Sequence, residues 1–329
     1  MLKYTAKRLL YSIVILFFVM FLIYILMYNM PAGYLETKAR ELASRPGAGK
    51  SYTEWLEDLN EQYGMNKGVL RGYLTWIKSA LTGNWGESWA WNMSVTAKFR
   101  DVIWYSFALS LVSMFFQIII AIPLGVKAAR KQYSFTDYFT TVVSMVCISM
   151  PTFFLATLLK YVFSIKLGWF DLTGMQGRDY LYLSEFGKFL DMAKHFVLPA
   201  VTLTVISIGS LMRYTRTNML EVLSADYIRT ARAKGVPENK VISRHAFRNT
   251  LIPLITVLGG SLPSLFSGAL ITETLFGIRG IGYTSYNSMI QADIPFVMFY
   301  LAFISILTLL GNLLSDLLYA AVDPRVRLS

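Results

Sequence analysis

The stretch that decides the fold is Arg213–Pro253, which reads RYTRTNMLEVLSADYIRTARAKGVPENKVISRHAFRNTLIP. It is a polar and basic segment between two long apolar runs. From Arg213 to Arg248 it carries eight Lys or Arg residues against three acidic residues. Loops rich in Lys and Arg beside membrane spans stay on the cytoplasmic side. The composition therefore predicts a cytoplasmic loop between two transmembrane helices.

The same segment has the pattern of a helix that ends at a glycine. One stripe of this helix consists of four residues spaced by three or four positions, namely Leu220, Leu223, Tyr227 and Ala231. The sequence Gly235-Val236-Pro237 follows. Glycine favours the position just after a helix and proline cannot continue one, so the helix is predicted to end there.

The rest of the chain has the composition of an all-α membrane protein. Of its 329 residues, 55% are hydrophobic and only 16% are charged, whereas soluble domains carry about 25% charged residues. Six runs contain no charged residue: Leu9–Met30, Val102–Val126, Tyr138–Leu159, Phe196–Met212, Thr250–Thr272 and Ile294–Ser315. About 20 residues of helix cross a bilayer, and the backbone in lipid must satisfy its own hydrogen bonds. We therefore expect six transmembrane helices. The first run exceeds the roughly 7–15 apolar residues of a signal peptide, so we expect it to be retained as a span.

The net charge of +11 is distributed as a membrane topology requires. With the N-terminus inside, the cytoplasmic pieces carry +3 before the first span, +2 in residues 127–137, +5 in residues 213–249 and 0 after the last span. The opposite topology would place this positive excess outside, against the positive-inside rule. We predict that the N- and C-termini are cytoplasmic, and we expect no nucleic-acid partner because topology accounts for the charge.

These predictions divide the chain into three parts. Residues 1–31 form a basic lead and the first transmembrane helix, residues 32–101 form an external loop, and residues 102–329 form a five-helix core that contains the cytoplasmic loop 213–249. Two short amphipathic helices are predicted in the external loop, over Tyr52–Tyr63 and Val69–Leu81. Their predicted apolar faces are Trp55, Leu56 and Leu59 in the first helix, and Tyr73, Leu74, Ile77 and Leu81 in the second.

Neither a catalytic nor a metal site is predicted from the sequence. Gly47-Ala48-Gly49-Lys50-Ser51 is similar to a phosphate loop, but Ser44 stands where that motif needs its first glycine. The chain has one cysteine, Cys147, and the two histidines, His195 and His245, fall on opposite sides of the predicted membrane. We therefore expect no nucleotide, metal or other cofactor in this chain.

Four residues in the spans are candidates for the translocation path: Gln117, Pro151, Gly259 and Gly260. Each has a second interpretation. Gln117 is suited to bonding a neighbouring helix, and the kink that Pro151 introduces serves packing as well as a cavity. The two glycines permit either a hinge or close helix packing.

Five ordered stretches resemble the permeases of peptide-uptake ABC importers. They are DYIRTARAKG (226–235) with RHAFRNTLIP (244–253), YGMNKGVLRGYLTWIKSALTGNWGESW (63–89), LPAVTL (198–203), ETLFGIRGIG (273–282) and NLLSDLLYAAVDPRV (312–326). The general loop pattern of ABC permeases, EAA-x3-G-x9-I-x-L-P, fits less well. Gly235 matches its glycine, but Arg229-Thr230-Ala231 stands at EAA, and 17 residues rather than 12 separate Gly235 from Pro253.

The resemblance implies a fold, a function and partners. It implies the type I ABC importer permease fold in the bacterial cytoplasmic membrane, a second homologous permease, two ATP-binding subunits that bind ATP and Mg, and an external substrate-binding protein that delivers peptide. The 63–89 region would help meet that external protein, or form a cap on the membrane domain. Glu273 begins a glycine-rich external turn beside the path. The segment that would dock on the ATPase comprises Glu221, Asp226, Tyr227, Arg229, Thr230, Ala231, Arg232, Ala233, Lys234 and Gly235.

Two alternative functions stay open at this point. Relatives of the peptide branch carry nickel, glutathione or other small solutes, so the same importer class with another cargo is the first. The second is an ion-coupled secondary transporter, which would need ionisable residues near the middle of the membrane. The six apolar runs contain none.

Overall fold

A computed structural model describes residues 2–29, 34–46 and 49–322 of the chain. The end of the first predicted span at Met30–Pro31, the Gly47-Ala48 pair and the tail from Asp323 lie outside these residues. The chain divides into two compact units. The first unit consists of Leu2–Asp101 and Ser285–Leu309, and the second consists of Val102–Thr284 and the chain from Leu310 onward.

The described chain is mostly helical. In chain order its helices are α1 (Leu2–Tyr28), α2 (Tyr34–Ala43), α3 (Tyr52–Tyr63), α4 (Val69–Leu81), α5 (Val95–Arg130), α6 (Phe135–Ser149), α7 (Thr152–Leu159), α8 (Glu185–Ser224), α9 (Asp226–Ala233), α10 (Glu238–Lys240), α11 (Phe247–Gly260), α12 (Leu262–Phe266), α13 (Leu270–Phe276), α14 (Ile281–Ile290) and α15 (Ile294–Val322). Two strands, β1 (Glu87–Ser88) and β2 (Met93–Ser94), form an antiparallel hairpin. Two π-helical segments cover Lys160–Lys166 and Val241–Ala246, and 3-10 turns cover Met65–Lys67 and Tyr180–Tyr182.

Five helical segments are long and apolar enough to cross a membrane: Ala6–Tyr28, Val95–Arg130, Glu185–Ser224, Glu238–Phe266 and Ile294–Leu318. A sixth candidate is a bent pair of helices, Phe135–Ser149 and Thr152–Lys166. The described residues therefore provide five spans, or six when the bent pair counts as one crossing. A multi-pass membrane architecture follows, and each predicted apolar run is largely helical where the structure describes it.

The third predicted span, Tyr138–Leu159, is not one straight helix. α6 ends at Ser149, and the chain turns by 100° before α7. The cause is local: Met150 has the extended backbone that a residue before proline adopts (φ −79°, ψ 121°), and Pro151 then caps α7.

The fifth predicted span, Thr250–Thr272, also ends earlier than expected. The apolar helical segment runs from Glu238 to Phe266, and the chain then leaves the helix before α13 begins at Leu270. Gly268 has a positive φ of 80°, and a Cβ there would lie 2.2 Å from the backbone nitrogen of Gly282. The turn therefore requires glycine, and it separates the span from α13.

In the first unit, the two predicted amphipathic helices are confirmed as α3 and α4. Ser51 and Glu54 form a capping box at the start of α3, and Gly64 ends this helix in the left-handed conformation. The predicted face of α4 is partly wrong, because Leu74 and Leu81 are exposed. Its buried face instead consists of Gly72, Tyr73, Trp76 and Ala80.

Hydrogen bonds from two tyrosines hold α1 against α3 and α4. The Tyr73 hydroxyl donates to the Phe17 carbonyl at 2.7 Å, and the Tyr24 hydroxyl donates to the Tyr63 carbonyl at 2.7 Å. Gly72 permits this approach, since a Cβ there would lie 2.2 Å from the Tyr24 hydroxyl and 2.4 Å from the Gly64 carbonyl oxygen. The first unit thus has a core of its own.

Candidate functional site

The predicted coupling segment forms a short helix, α9, separated from α8 by a single residue. Ala225 has extended backbone (φ −68°, ψ 148°), so α8 ends at Ser224 and α9 starts at Asp226. The predicted continuous stripe through Tyr227 is therefore wrong. The break changes the rotational register, so that Tyr227 is 46% exposed and its neighbour Ile228 is 0% exposed.

Ile228 anchors α9 to the second unit. It belongs to an anchor cluster of buried side chains from α5, α8, α9 and the π-helical segment before α11: Ala129, Met219, Ile228, Val241, Ile242 and Ala246. Sequence reasoning missed this residue, although it is the only large aliphatic side chain in DYIRTARA. Arg130 adds a polar link, donating from Nη2 to the Asn239 side-chain oxygen at 2.9 Å.

The end of α9 at Gly235 is confirmed. Gly235 N–H donates to the Arg232 carbonyl at 2.9 Å, and Val236 N–H donates to the Ala231 carbonyl at 3.2 Å. These two bonds form a Schellman motif, in which the glycine takes a positive φ, here 74°. The space around Gly235 is open, so the backbone conformation is what requires glycine there.

The remaining surface of α9 faces away from the anchor cluster. Of the ten predicted coupling residues, Ala231 is half-buried, and the other nine are exposed: Glu221, Asp226, Tyr227, Arg229, Thr230, Arg232, Ala233, Lys234 and Gly235. All of the ten except Glu221 lie within residues 226–235, on α9 or directly after it, and Glu221 lies on the preceding helix α8.

Two ion pairs on this surface differ in geometry, one close and one loose. Arg232 donates to both carboxylate oxygens of Glu238, at 2.8 and 3.1 Å, and this bond raises the pKa of the Arg232 guanidinium. Arg229 lies 3.4 Å from Asp226, with both side chains largely exposed, so this pair adds little stability. The surface therefore keeps donors that a partner protein can use.

A serine-lined cavity of about 270 Å³ lies within the second unit and includes Gln117. Six serines line it: Ser110, Ser113, Ser207, Ser261, Ser264 and Ser267. They come from α5, from α8 and from the segment around α12. Gln117 Nε2 donates to the Ser207 carbonyl at 3.0 Å. This bond fits the helix-bonding interpretation of Gln117, while the cavity keeps the path interpretation open.

The other span candidates lie elsewhere. Pro151 is exposed at the bend between α6 and α7. Gly259 is buried against α15, where a Cβ would lie 2.8 Å from the Leu318 side chain, and Gly260 is exposed. Close packing therefore accounts for the geometry at Gly259, and these three residues do not line the cavity that contains Gln117.

Glu273 was expected to begin a glycine-rich external turn, but the structure does not place it in a turn. It lies in α13 and is 0% exposed. Its carboxylate accepts hydrogen bonds from the Ser106 hydroxyl at 2.6 Å, from Ala269 N–H at 2.9 Å and from Tyr283 N–H at 2.8 Å. It therefore joins α5, α13 and α14. Sequence reasoning missed Ser106, which lies 167 residues away in the chain.

A second buried carboxylate, Asp137, was also not identified from the sequence. It is 2% exposed, and its two oxygens accept bonds from Arg216 Nε at 2.5 Å and Nη2 at 2.8 Å. Asp137 Oδ2 accepts a third bond from Tyr133 N–H at 3.0 Å. The pair joins α6 to α8, and Arg216 lies ten residues before the start of α9 at Asp226.

Comparison with known proteins identifies the family of this chain. Residues 121–328 match the family model described as a binding-protein-dependent transport system inner membrane component. This match covers more than half of the 329 residues. The chain belongs to this family.

Individual relatives of this inner membrane component extend the similarity over most of the chain. It is 38% identical over 271 residues to the oligopeptide transport system permease protein AppB of Bacillus subtilis, covering 82% of this chain and 84% of the relative. It is 33% identical over 340 residues to the dipeptide transport system permease protein DppB of Alkalihalophilus pseudofirmus, covering 99% and 100%. It is 35% identical over 340 residues to the di/tripeptide transport system permease protein DppB of Pseudomonas aeruginosa, covering 99% of both chains.

The described part of this family member brings no metal-binding group together. Within residues 2–29, 34–46 and 49–322, no three His, Cys, Asp or Glu side chains are placed to hold an ion. His195 instead bonds the Asp191 carbonyl through Nδ1 at 2.7 Å, and its Nε2 lies 3.2 Å from the Asp171 carboxylate. Cys147 is buried and free.

Proposed function

We propose that this chain is the membrane permease subunit of an ATP-driven importer that takes up dipeptides or oligopeptides. The family model describes a component of binding-protein-dependent transport, and the relatives above are named as peptide permeases. These names favour peptides over nickel or glutathione. In this proposal an external binding protein delivers the peptide, and a second homologous permease completes the path.

We further propose that α9 docks on one of two separate ATP-binding subunits. The observation that carries this proposal is the contrast within α9 between one fully buried anchor, Ile228, and an exposed basic surface that includes Arg229 and Lys234. A helix fixed on one side and open on the other transmits a partner's movement to the elements that anchor it. The anchor cluster links α9 to α5 and α8, both of which are candidate spans.

The proposed topology has six crossings with both termini in the cytoplasm of a bacterial plasma membrane. It counts the bent pair α6 and α7, with the π-helical turn after it, as one crossing. The charge distribution supports the orientation, since the loop 213–249 carries +5 and residues before the first span carry +3.

The proposed mechanism needs no chemistry in this chain. The partner subunits bind ATP and Mg, close on one another and carry α9 with them, so that the spans rotate and the path opens outward to receive peptide. Hydrolysis and release of nucleotide reverse the movement. The driving free energy comes from the different affinity of the partner subunits for nucleotide in the two conformations.

Single-cysteine crosslinking tests where the ATP-binding subunits dock. The native Cys147 is replaced by serine, and Thr230→Cys then places a thiol on the exposed face of α9. A matched control is Tyr182→Cys, whose position is 90% exposed. It lies in Lys166–His195, between the third and fourth predicted spans, which the proposed topology places outside the cell. We expect Thr230→Cys to crosslink to the ATP-binding subunit in the purified complex and Tyr182→Cys not to do so.

Two results would count against this account. Crosslinking at Tyr182 but not at Thr230 would contradict both the docking surface and the topology. A purified complex that contains no ATP-binding subunit would contradict the importer assignment itself.

A further inference from the structure

The serine-lined cavity around Gln117 contains hydrogen-bonding groups that the chain does not use. Among the described residues, the hydroxyls of Ser110 and Ser207 and the side-chain oxygen of Gln117 have no hydrogen-bond partner. Ser110 lies on α5 and Ser207 on α8, so the unused groups come from two separate helices. Polar atoms of lining residues that have no protein partner are available to a ligand or to water.

The α5 and α8 sides of the cavity are held at a fixed spacing. Gln117 Nε2 bonds the Ser207 carbonyl at 3.0 Å, and the Ser113 hydroxyl lies 3.3 Å from the Ala200 carbonyl. Ser113 itself is only 5% exposed, and its carbonyl accepts a bond from the Thr204 hydroxyl at 3.4 Å. The unpaired groups therefore sit on a preorganised frame.

The third side of the cavity depends on Glu273. Gly268 and Ala269 form part of the lining, and Ala269 N–H donates to the Glu273 carboxylate at 2.9 Å. The same carboxylate holds Ser106 of α5, so the turn and α5 share one buried acceptor. Glu273 therefore positions the cavity wall without lining the cavity itself.

The chemistry of the lining is neutral and suits either half of an amide. Among the described residues, twelve line the cavity and none carries a charge. A serine hydroxyl both donates and accepts, so it can pair with a peptide N–H or with a peptide C=O. A charged side chain placed there would find no opposite charge among these lining residues. The volume of about 270 Å³ lies just below the roughly 300–1,000 Å³ of pockets for whole ligands, so it suits part of a peptide.

We propose that this cavity is a subsite that binds the backbone amide of the transported peptide, with Ser110, Ser207 and Gln117 as its hydrogen-bonding groups. The subsite would bind the backbone amide, which all peptides share. Peptide side chains, charged or neutral, would contact other parts of the path. The inference rests on the proposed function and specifies which group of the cargo this chain recognises.

The experiment compares two cargo peptides in vesicles that contain the complete importer and its external binding protein. One is a tripeptide, and the other is the same tripeptide with its central amide N-methylated. The test variant is the double substitution Ser110→Ala and Ser207→Ala. Because neither hydroxyl has a partner in the described chain, alanine removes no internal bond. The control is Ser210→Ala, on the same helix as Ser207, whose hydroxyl bonds the Ser207 carbonyl and which is outside the cavity lining.

The quantity measured is the ratio of import rates for the parent and N-methylated peptides below saturation. The binding protein contributes the same discrimination to every sample, so a change in the ratio reports on the permease. We expect the double variant to lower this ratio by about three- to tenfold, the effect of one or two neutral hydrogen bonds. Ser210→Ala should leave the ratio unchanged. Parent peptides with a central lysine or a central glutamate should respond alike.

The outcomes separate the inference from the function on which it rests. An unchanged ratio in the double variant, with normal peptide import, would overturn the subsite and leave the importer assignment intact. A change in the ratio that occurs only for peptides of one charge would also overturn it, because the subsite would then recognise side chains rather than the backbone amide. Absence of peptide import by the unaltered complex would overturn the proposed function as well.

Discussion

Replacing Ile228 with alanine should detach α9 from the second unit while leaving its exposed surface unchanged. Substitution of a buried isoleucine by alanine costs about 2–5 kcal/mol, and by valine about 0.5–1.5 kcal/mol. α9 has only eight residues, fewer than the roughly 12–15 that an isolated helix needs in water. Its order therefore depends on this contact. At about 1.4 kcal/mol per factor of ten, Ile228→Ala should raise the undocked population roughly 30-fold or more, and Ile228→Val about two- to tenfold.

Hydrogen exchange of the α9 amides, residues 226–235, measures this population in the purified complex. We expect protection to fall in the order native, Ile228→Val, Ile228→Ala, and peptide-stimulated ATP hydrolysis to fall in the same order. Tyr227→Ala is the matched control, because its side chain is exposed next to the anchor. It should leave α9 protected even if it weakens docking of the ATP-binding subunit. Native protection in Ile228→Ala would refute the reasoning that a single buried contact fixes α9.

Further predictions concern buried groups in both units. Glu273→Ala should lower the melting temperature strongly, because three donors lose their acceptor at about 1–3 kcal/mol each; its neighbour Thr272→Val should raise it slightly, since the Thr272 hydroxyl is buried without a partner among the described residues. The opposite order of these melting temperatures would contradict the hydrogen-bond assignment. Arg216→Leu should lower the free energy of unfolding by about 3–5 kcal/mol, because buried Asp137 loses its charge partner. A loss of less than about 1 kcal/mol would show that the pair does not stabilise the protein. Gly72→Ala should destabilise the first unit by about 1–3 kcal/mol through overpacking, whereas Gly49→Ala, with open space around it, should not; equal thermal shifts for the two would disprove the close contact.

Local signals in the sequence predicted the elements whose ends are set locally. α3 and α4 have the predicted bounds because Ser51 and Glu54 begin α3 and glycines separate the two helices. The end of α9 at Gly235 follows from the same kind of signal. The apolar runs predicted helix correctly because length and hydrophobicity alone determine whether a helix suits a bilayer.

The features that sequence reasoning missed depend on contacts between distant parts of the chain. Periodicity across Ala225 predicted one helix, yet one residue of extended backbone exchanged the roles of Tyr227 and Ile228. Glu273 was expected to begin an external turn because ETLFGIRGIG (273–282) resembles a glycine-rich turn of the peptide-importer permeases. Its burial depends on Ser106, whose approach no local pattern encodes.

The coupling segment and the serine-lined cavity differ in how far the sequence predicted them. The exposed coupling segment was visible as a basic stretch with a helix signal and a terminating glycine. The cavity was not, because its serines come from three segments that lie up to 157 residues apart between Ser110 and Ser267. Isolated serines in apolar helices carry no signal that they converge. Only Gln117 was singled out, since an amide in a span needs a partner.

Peptide-dependent ATP hydrolysis by the reconstituted complex tests the central claim most directly. This chain is purified with its partner permease and ATP-binding subunits, inserted into lipid vesicles and supplied with the external binding protein and a labelled peptide. The account predicts that peptide stimulates ATP hydrolysis, that labelled peptide accumulates only with ATP, and that Ile228→Ala lowers both the stimulation and the accumulation. Transport by this chain alone, without an ATP-binding subunit and without ATP, would contradict the account.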